Sequence, residues 1–385
     1  MISYGEALSL IQEHPLKRHR EIRPCLDALG QVLAADIIAP MDLPPFATSA
    51  VDGFAIGEER ASDALLIQGE MKAGSQDLMS IKDGHAVRIM TGAPLPYGTH
   101  AVVMKEQAPV DGGLLRLHIT PQKHDHIRWQ GEDIQKGELL AQRGCVVTPS
   151  LMGALYALGI KNIEVLRPPR ISIVSTGDEL LDAGEDLKPG QVYYLMGPML
   201  KAQASMLGIT NITYTRVKDC LDDIRKAINN ALHAADIVLI TGGMSKGEYD
   251  LVRPALFELG VEEIFYEGLW RPGKPLWFGK YGEKRIFGLP GNPVAAFVCF
   301  HVFVRPLLLS TKTTLQRGMM KEDFHKKAGF TFFVRVLVDE NHDVSIVKGQ
   351  GSHQIVSLSR ANALAVIPED VSIIRAGKPV WYYTL

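Results

Sequence analysis

The sequence predicts an α/β multidomain protein: a central three-layer α/β/α domain, an inserted β-rich domain, a helical N-terminal part and a C-terminal β domain. Three observations lead there. After Arg167-Pro168-Pro169, short apolar runs alternate with helical patterns, the habit of a parallel sheet covered by helices. Between Leu43 and Arg128 the apolar pieces are short and broken by Gly69, Gly74, Gly84, Gly92, Gly98 and Gly112-Gly113. Beyond Leu309, apolar runs are again short and separated by Gly, Asn and Asp turns.

Taken in order, residues 3–14 place Ala7, Leu8 and Ile11 on one helical face, and Leu26 to Ala35 repeats that pattern, so the opening is expected to be helical. Ser150 to Leu158 reads as a helix that rejoins it. In the central domain Ile171-Ser175 and Ile237-Thr241 read as strands, and Met199-Leu207, Ile224-Ala235 and Pro254-Leu259 as helices. Val294 to Leu309 is the most apolar stretch, but it is short for a membrane span and carries His301 and Arg305, so a buried helix is expected. Thr331-Val338, Val344-Val347, Ala363-Ile367 and Val380-Tyr383 are the expected strands of the last domain. The boundaries that follow are 1–40 with 129–166, 41–128, 167–309 and 310–385.

Bulk properties exclude several functions. A formal charge of −2 gives no global field for nucleic acid or an anionic membrane, so any anion site must be local. Cys25, Cys145, Cys220 and Cys299 are scattered and form no zinc-type spacing, which suits a reducing compartment. The first residues lack the basic-then-apolar order of a signal peptide, and a cytoplasmic protein is expected.

The chemistry-bearing segments lie mostly at strand ends. Ile237-Thr241 runs into Gly242-Gly243-Met244-Ser245-Lys246-Gly247-Glu248-Tyr249-Asp250, where glycines let backbone N–H groups approach a phosphate and the carboxylates suit a hard cation such as Mg²⁺. A tight turn with solvated acids is the other reading. Ile171-Ser175 is followed by Thr176-Gly177-Asp178-Glu179 in the same scheme, although Asp178 could instead cap a helix. Arg285-Leu289 leads into Pro290-Gly291-Asn292-Pro293 at the start of the apolar helix, whose first N–H groups could face an anion. Arg271-Pro272-Gly273-Lys274-Pro275 sets a planar guanidinium and an ammonium on one turn, fit for a phosphate or tetrahedral oxyanion, or else an exposed basic turn. In the inserted region Asp52 before Gly53 is compatible with an ordinary turn aspartate, and Thr91-Gly92-Ala93-Pro94 with a strand end.

As an ordered set these segments resemble the molybdopterin molybdenumtransferases, the group that includes the catalytic C-terminal domain of gephyrin. The order is Ser49-x-x-Asp52-Gly53-Phe54-Ala55, Thr91-Gly92-Ala93-Pro94-Leu95-Pro96, Ala101-Val102-Val103-Met104-Lys105-Glu106 and Gly131-Glu132-Asp133-x-x-x-Gly137. Then come Thr176-Gly177-Asp178-Glu179-Leu180, Gly242-Gly243-x-Ser245-x-Gly247-Glu248-x-Asp250, Pro272-Gly273-Lys274-Pro275, Leu289-Pro290-Gly291-Asn292-Pro293 and Gln350-Gly351-Ser352. The resemblance implies insertion of molybdate into adenylylated molybdopterin with release of AMP, assisted by Mg²⁺. It also implies a homodimer with sites shared between subunits. A molybdopterin adenylyltransferase and apo-molybdoenzymes are the protein partners it suggests, with neither nucleic acid nor membrane.

Carried over by position, the resemblance gives Asp52, Thr91, Glu179 and Asp250 catalytic roles, and Asp52, Glu179 and Asp250 the metal. Thr176, Gly177, Asp178, Gly242, Gly243, Ser245, Gly247, Pro290, Gly291 and Asn292 would bind the pterin substrate. Arg271, Lys274, Pro275, Arg335 and Ser352 would bind molybdate. Two departures stand out: Tyr194-Leu195-Met196 replaces the family's Asp-Ser-Asn at the expected ligand-facing mouth, and Arg271 stands where Lys is frequent. A related adenylyltransferase and a non-catalytic dimeric scaffold are the competing functions.

Overall fold

The structure is a computed structural model that describes residues 1–57, 64–118, 120–244, 251–309 and 314–385 of the chain. It divides into two compact units, one of Met1–His19 with Arg167–Leu385 and the other of Arg20–Leu166.

The Arg20–Leu166 unit begins and ends in paired strands. Arg20–Pro24 runs antiparallel to Asn162–Leu166 with Arg20 opposite Leu166, so the chain enters and leaves the unit side by side. Within it lies a six-stranded sheet in the order Ala101–Met104, Gly53–Ile56, His85–Ile89, Ala64–Met71, Leu114–Arg116, Val110–Asp111. Alternate residues of Gly53–Ile56 serve two cores: Phe54 and Ile56 pack with Leu65 and Leu115, Ala55 with Val87 and Ile89. Gly53 is required where it stands, because a Cβ there would lie 1.9 Å from the Val103 carbonyl oxygen of the neighbouring strand.

The expected second helix of the opening is not formed. Cys25–Ala28 makes a single 3₁₀ turn, and Val32–Leu33 is a strand paired with Val165 and Leu166. Gly30 between them has φ +76°, which ends any helix, and tertiary pairing of Leu33 overrides local periodicity. The helix Tyr4–Glu13 does form, closed by a reciprocal Ser3–Glu6 capping box. Its buried Ala7 and Ile11 belong to the core of the α/β sheet, and not to that of the helix Pro149–Ala157, which packs with Cys25, Leu33 and Val165.

The Arg167–Leu385 portion holds two sheets. The first contains β1 (Ile171–Thr176), β2 (Ile212–Val217), β3 (Ile237–Thr241), β4 (Glu262–Tyr266), β6 (Trp277–Tyr281) and β7 (Lys284–Leu289), in the order β2-β1-β3-β7-β6-β4. Here β2, β1, β3 and β7 are parallel, and β6, paired antiparallel to both β7 and β4, runs against them. The sheet is therefore mixed where a parallel one was expected, since a short excursion returns the chain through β6 directly into β7. That excursion, between β4 and β6, contains β5 (Trp270–Arg271), which leaves this sheet and pairs with Thr331 and Phe332 of the second sheet.

Helices α1 (Met196–Ser205), α2 (Leu221–Ala234), α3 (Val252–Glu258) and α4 (Pro293–Cys299) cover the first sheet. Ile173, Leu239 and Phe287 point to the α1/α4 side, Val174, Ile240 and Ile286 to the α2/α3 side, which explains why both faces of the strands are apolar. From α4 the helical path continues through a π-helical turn Phe300–Val304 into Arg305–Leu309. The stretch is buried on most sides because Phe333, Leu364 and Tyr383 of the second sheet close over it. Among the described residues no helix is long and apolar enough to cross a membrane.

The second sheet follows the order β5-β9-β10-β8-β12-β11, with β8 (Gln316–Met320), β9 (Thr331–Val338), β10 (Asp343–Ile346), β11 (Ala363–Ile367) and β12 (Pro379–Thr384). A further pairing of β9 with β11 closes it into a barrel-like ring, which leaves few free edges.

Candidate functional site

A cavity that draws seven of the expected residues together lies where β5 joins the two sheets. Its volume is about 590 Å³, within the range of small-molecule sites, and its wall includes Arg271, Lys274, Pro275, Pro290, Gly291, Asn292 and Ser352. Three chain segments supply these residues for one topological reason: β5 carries the basic turn to β9, β7 ends just before Pro290, and the loop after β10 returns beside α4. The Ser352 carbonyl accepts the Val294 backbone N–H at 3.3 Å, so part of the expected helix-end donor set is already used. Asn292 precedes α4 without a side-chain capping bond, and its amide stays available.

The basic turn is not a free surface loop. Trp270 donates its indole N–H to the Gly273 carbonyl at 2.8 Å and is fully buried. The Arg271 guanidinium lies 4.6 Å from the Phe330 ring centre, and Lys274 stands 3.8 Å from a Glu267 carboxylate oxygen. Both cations are thus oriented by the fold, with Arg271 exposed and Lys274 half-buried.

Arg335 is brought close to the cavity but not onto its wall. The side chain is fully buried on β9, and its Nη2 donates to the carbonyl oxygens of Gly349 and Gly351 at 2.7 and 3.2 Å. Burial depresses its pKa, although such a group stays cationic. Its Nε and Nη1 are buried with no hydrogen-bond partner, a costly arrangement that a nearby anion would relieve. Gln350 completes the support: its side chain donates to the Arg335 and Val347 carbonyls at 2.9 and 2.8 Å and accepts the Arg335 N–H at 3.1 Å. Sequence reasoning gave Gln350 no role, and it also missed the aromatic wall of Phe324, Phe332 and Phe333. The pair Phe332-Phe333 two residues ahead of Arg335 was the available signal.

At the carboxyl ends of β1 and β3 the glycine turns meet. Gly242 has φ +87° and Gly243 φ +58°; a Cβ on Gly242 would sit 2.6 Å from the Thr176 carbonyl oxygen, and one on Gly243 2.8 Å from Val252 Cγ2. These positions need glycine for both backbone conformation and space. The Thr176 hydroxyl is buried there without a partner. Gly177 is covered by the Glu179 carboxylate, whose oxygens would lie 2.6 and 2.8 Å from an added Cβ. Asp178 and Glu179 are exposed, and the chain continues into the short strand Leu180–Leu181, so Asp178 caps no helix. Ser245, Gly247, Glu248 and Asp250 lie outside the described residues.

In the other unit, Asp52 and Thr91 form a defined pair. One Asp52 oxygen accepts the Thr91 backbone N–H at 2.8 Å and hydroxyl at 2.7 Å, and the other lies 3.7 Å from Lys105 Nζ. These bonds, chiefly those from Thr91, hold the Asp52 carboxyl below the usual carboxylate range. Among the described residues no group of three His, Cys, Asp or Glu side chains is preassembled to hold a metal.

Fold and cavity together define a multidomain α/β protein with glycine turns at the parallel-strand ends and a cationic cavity against a C-terminal β sheet. Family descriptions match it in three blocks: the MoeA N-terminal region (domain I and II) over residues 2–159, a probable molybdopterin binding domain over 172–310, and the MoeA C-terminal region (domain IV) over 317–385. The chain belongs to the MoeA family. It is 33% identical to molybdopterin molybdenumtransferase 2 of Mycobacterium tuberculosis over 94% of either chain. With the molybdopterin molybdenumtransferase of Haemophilus influenzae it shares 31% identity over 99% of this chain and 98% of the other. A crystal structure of the molybdopterin biosynthesis MoeA protein from Pyrococcus horikoshii superposes with a TM-score of 0.86 at 29% identity, covering 100% of this chain and 99% of that one.

Proposed function

We propose that this chain is a molybdopterin molybdenumtransferase, inserting molybdate into adenylylated molybdopterin with release of AMP and molybdenum cofactor. The observation that carries the reading is the 590 Å³ cavity, in which Arg271 and Lys274 face Asn292 and Ser352 in front of the buried Arg335. Molybdate is a tetrahedral dianion, and that set offers it a planar fork, an ammonium, an amide and a hydroxyl. The Gly242-Gly243 and Gly177 turns, with the unpartnered Thr176 hydroxyl, suit the phosphate-bearing part of the pterin ligand. An adenylyltransferase needs no 317–385 region, and here that region supplies one wall of the cavity.

Release of AMP needs developing negative charge to be held by cations and N–H donors, not by a protein nucleophile. The donor chemistry fits Mg²⁺: the carboxylates of Glu179 and Asp250, with that of Asp52 reaching in from a second copy, are hard oxygen ligands, and the Thr91 bonds keep Asp52 ionised. Bound there, Mg²⁺ would neutralise phosphate charge. In our reading the chain keeps four parts, with residues 1–19 counted with the α/β domain and not with 20–40 and 129–166; the protein works in the cytoplasm and acts as a homodimer. Ile22, Leu26, Ile38, Leu139 and Tyr156 of the Arg20–Leu166 unit are exposed apolar side chains that a second copy would cover. AMP release measured with and without molybdate tests the function. Molybdate- and Mg²⁺-dependent release is expected from the natural chain, and little from Asp52→Ala or Lys274→Ala. Equal release from all three would defeat the site assignment.

A further inference from the structure

Tyr194 opens the Tyr194-Leu195-Met196 segment that stands where polar side chains were expected at a ligand-facing mouth. The structure places it elsewhere. Tyr194 is 6% and Met196 7% exposed, and both pack in the core beneath α1 and α4. The phenol is held at one spot by two neighbours, Ser175 and Gly197. Its oxygen lies 3.0 Å from the buried Ser175 hydroxyl, and Ser175 in turn accepts the Thr241 hydroxyl at 2.8 Å. It also takes a backbone bond from Gly197 in the first turn of α1. Gly197 is fitted to the phenol, because a Cβ there would lie 2.1 Å from the Tyr194 oxygen.

The location gives this chain of hydroxyls its meaning. Ser175 and Thr241 are register partners on the neighbouring parallel strands β1 and β3. They form the last rung of the α1/α4 face before each strand leaves the sheet, one towards Gly177 and the other towards Gly242-Gly243. Every earlier residue of that face, Ile171, Ile173, Ile237 and Leu239, is apolar and fixes no lateral position at the rung's level. Hydrogen bonds do, since they have preferred lengths and angles that apolar contacts lack.

We propose that Tyr194 is a positioning residue: through Ser175 and Thr241 it sets the spacing of the two glycine turns that receive the phosphate-bearing part of the ligand. The inference rests on the function proposed above and extends it to a side chain that never touches the reacting atoms. It explains why a phenol can stand at this position. The segment trades surface contacts to the ligand for a tie beneath the turns.

The test is Tyr194→Phe, which keeps the ring and removes only the hydroxyl, assayed by molybdate-dependent AMP release and by thermal unfolding. The KM for adenylylated molybdopterin is expected to rise about tenfold, the equivalent of one lost buried hydrogen bond. The KM for molybdate and kcat should stay within about twofold. Ser175→Ala should give the same split, and the double variant should be no worse than either single one, because both break one chain. A merely structural role would instead lower the thermal midpoint and the active fraction and leave both KM values alone, and that outcome overturns the proposal. So does additivity of the two substitutions. Absence of molybdate-dependent release from the natural chain, by contrast, marks failure of the functional reading itself, and the positioning role falls with it.

Discussion

Gly273→Ala probes whether the basic turn is held as rigidly as the structure shows. Gly273 is buried with φ +97°, a conformation that costs alanine about 1–2 kcal/mol. Its added Cβ would lie 2.3 Å from Cys299 Sγ and 3.5 Å from the Ala295 carbonyl oxygen. Carbon and sulfur normally stay well over 3 Å apart, and Cys299 is fully buried on α4 with no room to swing. Overpacking of this sort costs about 1–3 kcal/mol, giving a total of roughly 2–5 kcal/mol. At about 2–4 °C per kcal/mol the thermal midpoint should fall by roughly 5–15 °C. Part of the strain will be relieved by moving the turn, which displaces Lys274, so the KM for molybdate should rise by about tenfold or more in the AMP-release assay. Cys299→Ala alone removes a small buried thiol and should cost about 1 kcal/mol. Combined with Gly273→Ala it removes the clashing atom, so the double variant should recover about 1–3 kcal/mol relative to the sum of the singles. Strict additivity, or a Gly273→Ala protein with unchanged midpoint and molybdate KM, refutes the reasoning.

Three further outcomes follow from the same geometry. Arg335→Met exchanges a buried guanidinium with two unpartnered nitrogens for an apolar chain; the thermal midpoint should hold within about 3 °C or rise, while the molybdate KM increases about tenfold or more. A large loss of stability with an unchanged KM would make Arg335 purely structural. His301 is buried beside Arg305 and Tyr383, and burial, reinforced by the Arg305 charge, lowers its pKa from 6.5 to about 4. The folded value being the depressed one, the unfolded chain binds the extra proton between those values. Stability from His301 is therefore full above pH 6.5, falls as pH drops to 4 by at most about 3 kcal/mol, and then levels; His301→Gln should flatten that part of the denaturation profile. For Asp52 the sign is that of a carboxylate. Its contact with Thr91 stabilises above the ordinary pKa of about 4 and is lost as pH falls through the lower folded value. Thr91→Val should raise the Asp52 pKa measured by NMR titration and weaken activation by Mg²⁺ several-fold. An unshifted titration would dismiss the Thr91 hydroxyl as a partner and leave the backbone N–H, which valine retains, as the group that holds Asp52.

Local patterning carried the strands Ile171–Thr176, Ile237–Thr241 and Thr331–Val338 as short apolar runs bounded by turn residues, and the amphipathic helix Leu221–Ala234 by its helical period. It failed at Leu26–Ala35, where apolar residues at helical spacing are pulled into a strand by partners more than a hundred positions away. The site was legible in kind. Glycines after β3, cations at Arg271 and Lys274 and the turn after Leu289 can be read in order along the chain, since close backbone approach and charge are properties of single residues.

What no linear reading could reach is which of these meet. The sequence by itself determined the residue chemistry: glycine-rich turns, a pair of cations and a set of carboxylates. Only the tertiary structure decided that β5 leaves one sheet to pair with another, and so opens a cavity between Lys274, Asn292 and Ser352. It also decided that Arg335 stands behind that wall and that Tyr194 is buried, tied to Ser175. The physical reason is that hydrogen-bond pairing and burial are relations between distant segments, and their energies exist only once the segments are packed together.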